Sequence, residues 1–218
     1  MKDKDACKAA LKGTPSVDLA LFGRMVASDP SLNYDAAAQV AHAISTHSVQ
    51  NEFDYFTAVD DRAPDDNAGA GHLGTVEFNS STLYRYATVN VTELSENLGA
   101  ETPEAVRNFL RAFVCSMPTG KQNTFANRTL PDAIYVAIRR DQPANLVGAF
   151  EQPVRADEFG GYAQASAQRL AAYAEKLYKN YTGAPSMAWS LGMDVEGAES
   201  LPLPGMLDAV ESFLKNEI

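Results

Sequence analysis

The sequence predicts an α+β domain built on a largely antiparallel sheet. Three observations carry that prediction: short stretches in which apolar and polar residues alternate, longer stretches with apolar residues at helical spacing, and a mixed order of the two without a repeat at any solenoid period. The chain has 218 residues, 45% hydrophobic and 21% charged, so it can bury a core without disulfide staples and is not a disordered or fibrous composition.

Residues 1–16 are polar, punctuated by Gly13, Thr14, Pro15 and Ser16, and read as a short helix or a lead-in. In 17–27, Val17, Leu19, Leu21 and Met25 share one face if the run is a strand, while a buried helix fits it equally. Residues 29–33 make a turn. Residues 34–49 are ambiguous, because Ala37, Val40, Ala41 and Ile44 fall at helical spacing. In 82–92, Leu83, Ala87, Val89 and Val91 alternate with Tyr84, Tyr86, Thr88 and Asn90, the pattern of a half-buried strand.

The best-marked helix covers 103–117, with Thr102 as its N-cap, Pro103 at the first helical position and an apolar stripe of Val106, Phe109, Leu110, Phe113, Val114 and Met117. Cys115 falls inside that pattern, where burial is expected. A strand follows at 133–139, with Ile134, Val136 and Ile138 facing inward, and a short edge strand at 145–154, bounded by Pro143 and Pro153. A long helix is predicted at 162–181, with Leu170, Tyr173, Leu177 and Tyr181 on its buried stripe, then a small strand at 187–191 and a closing helix at 203–215.

The stretch least explained by a core is 52–78, EFDYFTAVDDRAPDDNAGAGHLGTVEF. Its middle is rich in Asp and Gly, with Pro64 and almost nothing apolar beyond Ala, so it cannot bury itself. Stretches of this kind inside a domain are functional projections or disordered inserts. A hairpin-like projection is expected, with an ordered base bearing Tyr55, Phe56 and Thr57 and a solvated acidic tip. The two rings have two uses: wedging against a stackable surface such as a nucleobase, worth about 1–3 kcal/mol per base, or plugging the projection into its own domain. The residues alone do not choose.

Other chemistry is poorly supported. Cys7 and Cys115 lie far apart without metal-ligand spacing. His42 and His47 are five positions apart, on opposite faces of a strand and widely separated on a helix, so one ion cannot readily take both. His72 with Asp60 or Asp61 could converge across the projection as a metal-dependent phosphodiesterase site, yet no HxH, HExxH or EF-hand pattern is present. There is no nucleophile elbow, and the run around Gly120 and Lys121 lacks Walker spacing. That loop does offer Lys121 and Gln122 for a phosphate or ribose contact, the alternative being that Lys121 caps the preceding helix. No apolar run is long enough for a membrane span and the charged start is no signal peptide, so a cytoplasmic protein is expected. The net charge of -10 argues against a nucleic-acid partner.

Set against that charge is an ordered series of motifs: GRM at 23–25, VAHAISTHSV at 40–49, DYFTAVDD at 54–61, GAGHLGTVEF at 69–78, YRYA at 84–87 and GKQNTF at 120–125. From about Val17 onward the chain resembles the CasC-type backbone subunit of the type I-E CRISPR Cascade complex, C-terminal part only. Members of that family begin with a longer N-terminal portion that has no counterpart here and carries many of the basic residues facing RNA. The resemblance implies a modified RRM-like (ferredoxin-like) palm over 17–218, preceded by a lead-in at 1–16, with a thumb inserted at about 50–79 and a helical subdomain. The palm's first strand and helix would not be in this chain. It favours strands for 17–27 and, as one long strand, for 34–49.

It further implies a non-catalytic, cofactor-free subunit. Such subunits stack along CRISPR RNA, contact neighbouring copies and other Cascade subunits, and kink the guide at intervals so that the spacer pairs with target DNA. Tyr55, Phe56 and Thr57 correspond to the thumb residues that hold the kink, and Met25 to the palm residue packing on the bases. Tyr55 stands where some relatives have tryptophan, which keeps an aromatic face. Without the N-terminal portion, the chain alone is expected to bind RNA weakly or not at all, as a partial subunit lacking independent activity.

Overall fold

The structure is a computed structural model that describes residues 2–58, 72–156 and 158–218. It is a mixed α+β arrangement of seven α-helices and nine short strands among those residues. Helices α1 (Lys2–Leu11) and α2 (Val17–Phe22) come first. Strands β1 (Ala38–Val40), β2 (Ile44–Ser45), β3 (Glu52–Ala58), β4 (His72–Phe78), β5 (Leu83–Tyr84) and β6 (Ala87–Val89) follow. Then come α3 (Val91–Leu98), α4 (Thr102–Cys115), α5 (Gln122–Phe125), β7 (Ile134–Ile138), α6 (Ala163–Leu177), β8 (Met187–Leu191), β9 (Glu199–Ser200) and α7 (Leu203–Glu217).

The sheets are small. β1 pairs with β6, β2 with β5 and β3 with β4, all antiparallel; β7 pairs antiparallel with β8, and β8 parallel with β9. The antiparallel expectation therefore holds in every pair but one. Four hydrophobic clusters lie around these pieces. One joins α2, α3 and α4 through Leu21, Leu94 and Ala105. Another seats Trp189 of β8 on Met206, Val210 and Leu214 of α7. Arg107 fastens α4 to α7 by ion pairs to Asp208 (2.9 Å) and Glu211 (3.0 Å).

Several predicted elements are corrected. Residues 17–22 are helix, not strand: the Ser16 hydroxyl accepts from Leu19 N–H to start the turn, and Gly23 at φ 72° stops it. Residues 34–49 are extended as the resemblance implied, but as two short strands rather than one. The run 82–92 divides likewise into β5 and β6, and Val91 opens α3, because Asn90 accepts from Glu93 N–H as its N-cap. α4 begins at Thr102 itself, continuing a 3₁₀ turn, so Thr102 does not serve as its cap. Residues 147–150 form a 3₁₀ turn, not an edge strand.

Two burial expectations also fail. Cys115 is exposed at the last turn of α4. Tyr181 stands 84% exposed, because α6 widens into a π-turn at Tyr178–Thr182 that rotates it off the buried stripe. The predicted helix at 203–215 and strand at 187–191 match α7 and β8 closely.

Candidate functional site

Strands β3 and β4 form a two-stranded ribbon that runs in register from Glu52↔Phe78 to Ala58↔His72. Every residue of β3 is exposed, so no core dictates this strand's sequence. Tyr55 is 75% exposed, Phe53 64% and Phe56 45%. The rings are thus not plugged into the domain.

Side chains alternate across a strand, so Phe53, Tyr55 and Thr57 share one side of the ribbon with Leu73, Thr75 and Glu77, while Phe56 lies on the other with Asp54, Val76 and Phe78. The sequence reading treated Tyr55 and Phe56 as a pair; the ribbon gives them opposite sides. Phe56 lies directly across from Gly74, and a Cβ added there would collide with its ring. Glycine lets the aromatic lie flat over the neighbouring backbone, which fixes its direction.

The base of the ribbon is held on the Phe56 side. Phe78 packs on Phe125 of α5 with ring centroids 6.1 Å apart, and the Lys121 ammonium lies 5.9 Å from the centre of the Phe125 ring. Lys121 takes a left-handed conformation (φ 60°) at the start of α5, so it does not cap α4, which ends at Cys115. Gln122 accepts a hydrogen bond from Arg128 at 2.8 Å. The structure therefore brings Lys121, Gln122 and Arg128 to the foot of the ribbon. Arg128 was missed in the sequence, where nothing in its spacing marks it.

Met25 belongs to a separate patch and is 85% exposed. Its loop is tightly built. Arg24 and Tyr34 form a backbone bridge, Val26 N–H donates to Asn33 Oδ1 at 2.7 Å, and the Arg24 guanidinium donates to the carbonyls of Leu32 and Leu11. Asp29 in the same loop pairs with Lys8 at 2.6 Å, and that ammonium together with Ser31 holds its carboxyl down at about 2. A large flexible side chain is thereby presented from a fixed backbone.

Among the described residues the catalytic alternative gains no geometry. His47 is spent on structure: its Nε2 accepts from Thr82 N–H at 3.1 Å, its Nδ1 donates to the Ser48 carbonyl at 2.8 Å, and its ring stacks on Tyr162 at 3.7 Å. His42 is exposed. Asp60 and Asp61, with the tip 59–71, lie outside the described residues, as does the side chain of His72. Among the described residues no group of three His, Cys, Asp or Glu is placed to hold a metal, and no helix is long and apolar enough to cross a membrane.

Comparisons with known proteins agree on a relationship. The family model described as CT1975-like protein matches residues 1–209, taking in the segment before Val17 as well. Among solved structures, the chain is similar to a chain of a "CRISPR RNA-guided surveillance complex, pre-nicking", with a TM-score of 0.78 and 35% identity over 97% of this chain and 64% of that one. It is similar also to a chain of a "CRISPR RNA-guided surveillance complex", with a TM-score of 0.77 and 35% identity over 97% of this chain and 82% of that one. None of the curated proteins matches.

Proposed function

The chain belongs to the family of CT1975-like proteins, and from that premise we propose that it is a component of a CRISPR RNA-guided surveillance complex, acting as a non-catalytic backbone subunit on an RRM-like palm. The β3–β4 ribbon is the thumb. It lies over a guide RNA, with Tyr55, Phe56 and Thr57 holding a displaced nucleotide. Met25 packs on neighbouring bases, while Lys121 and Gln122 contact phosphate or ribose. The partners are CRISPR RNA, target DNA through the guide, further copies of the chain and other subunits.

One observation carries this reading: large aromatics stand exposed on a ribbon whose every β3 residue is solvent-facing, an arrangement that serves no core. Stacking and apolar wedging read no base identity, which suits a guide of arbitrary sequence. The net charge of -10 weighs the other way, so on this reading most of the RNA affinity comes from stacking and from neighbouring subunits.

Co-expression with a guide RNA and the other subunits tests it. Tyr55→Ala with Phe56→Ala should reduce co-purified RNA at least about tenfold, since each lost stack is worth roughly 1–3 kcal/mol. Unchanged RNA content, with assembly intact by size, refutes the assignment of the ribbon.

A further inference from the structure

We propose that Arg24 is the positioning residue for Met25, and that α1 is the strut against which it works. The proposal rests on the base-packing reading of Met25 and adds what holds that residue in place.

α1 is not fastened by packing. None of its described side chains is buried, and none enters any of the four hydrophobic clusters. A helix of 10 residues is marginal by itself in water, so its tertiary ties decide where it lies. Among the described residues those ties are polar, and they land on the loop 24–34 that carries Met25. Lys8 pairs with Asp29 at 2.6 Å. Leu11 C=O, in the last turn where a carbonyl has no partner within the helix, accepts from Arg24 Nη2 at 2.9 Å. Just beyond the helix, Gly13 C=O accepts from the Tyr34 hydroxyl at 2.9 Å.

Arg24 is where the helix, the loop and Met25 meet. Its backbone N–H and C=O bond those of Tyr34, each at 2.9 Å. Its Nε and Nη2 both donate to Leu32 C=O, at 3.0 and 2.8 Å, and the guanidinium carbon lies 5.3 Å from the centre of the Tyr34 ring. Leu32 is the one buried side chain of residues 24–34, so the guanidinium joins the end of α1 to the loop's anchor in the interior. Next to it, Gly23 runs so close to the returning chain that a Cβ there would come within 2.7 Å of Tyr34 C=O. Met25 itself is 85% exposed and gains little fixing from packing. Its place therefore comes from its neighbours, with Val26 N–H tied to Asn33 on the other flank.

Positioning differs from direct contact with RNA in a way one substitution exposes. Nε and Nη2 are already spent on carbonyls, and a planar fork is what serves both at once. Lysine keeps the charge but offers a single ammonium on a flexible stem. Arg24→Lys would thus keep the attraction for a phosphate while undoing the tie.

Backbone ¹⁵N relaxation on the full chain reads the strut. Order parameters at Met25 and Val26 should be about 0.85 in the parent and fall below about 0.6 in Arg24→Lys. Lys8→Met combined with Tyr34→Phe, which cuts α1's ties through those side chains and touches no cluster, should lower them likewise, and it decides the matter if Arg24→Lys does not fold. Co-expression with a guide RNA and the other subunits reads the consequence. Arg24→Lys should reduce co-purified RNA to within about twofold of the Met25→Ala level, and the two together should reduce it no further. Order parameters at Met25 and Val26 that stay at the parent value in both variants, or RNA losses that add in the double variant, would overturn the proposal. RNA content unchanged by Met25→Ala refutes the base-packing reading instead, and the relaxation data then decide the strut by themselves.

Discussion

At the scale of single residues, the ribbon's directions depend on a side chain that is not there. Gly74 lets the Phe56 ring lie across the neighbouring strand, and Gly74→Ala would push the ring away. Because both positions are in an exposed ribbon, the substitution should leave the thermal midpoint within about 2 °C, a few tenths of a kcal/mol. RNA retention should nonetheless fall toward that of Phe56→Ala. Measuring both on the same preparation separates a misdirected ring from a damaged fold. Met25 makes the complementary case: its side chain stands exposed while Arg24, Asn33 and Tyr34 hold its loop.

At the scale of elements, His47 shows how a residue that looks functional can be structural. With Nε2 accepting from Thr82 and Nδ1 donating to Ser48, it locks β2 beside the start of β5, while Thr46 next to it accepts from the Ser166 hydroxyl of α6 at 2.8 Å. His47→Ala should cost about 1 kcal/mol or somewhat more, read as a lower urea midpoint with unchanged slope, because it leaves the partly buried Thr82 N–H without its acceptor. A change confined to catalysis or metal content would contradict this role. α4, β7 and α7 were legible because one apolar period runs through each, and at α4 Pro103 marks the start. α2 and α3 were hidden by length. Val17–Phe22 is too short for a helical period to outweigh alternation, and only the caps Ser16 and Asn90 mark the two starts. Tyr55 and Phe56 were legible as aromatics in a stretch that no core explains, but their opposite sides needed the β3–β4 register. Lys121 at the foot of the ribbon needed the Phe78–Phe125 contact, which nothing in the spacing records.

At the scale of the whole molecule, an acidic chain holding RNA should do so with little help from salt-sensitive contacts. If Lys121 and Arg128 are its phosphate ligands, the slope of log K against log salt should be no steeper than about -1.4 for the two. A slope near -5 in the isolated chain would require cations the ribbon's foot does not supply. The four hydrophobic clusters have a thermal consequence of their own. Val106 packs on two of them, and Tyr84, Leu170 and Tyr173 on the other two, so they reduce to two linked pairs; two such pairs need not melt as one, so the isolated chain should absorb heat in two overlapping stages, with a calorimetric enthalpy above the van't Hoff value.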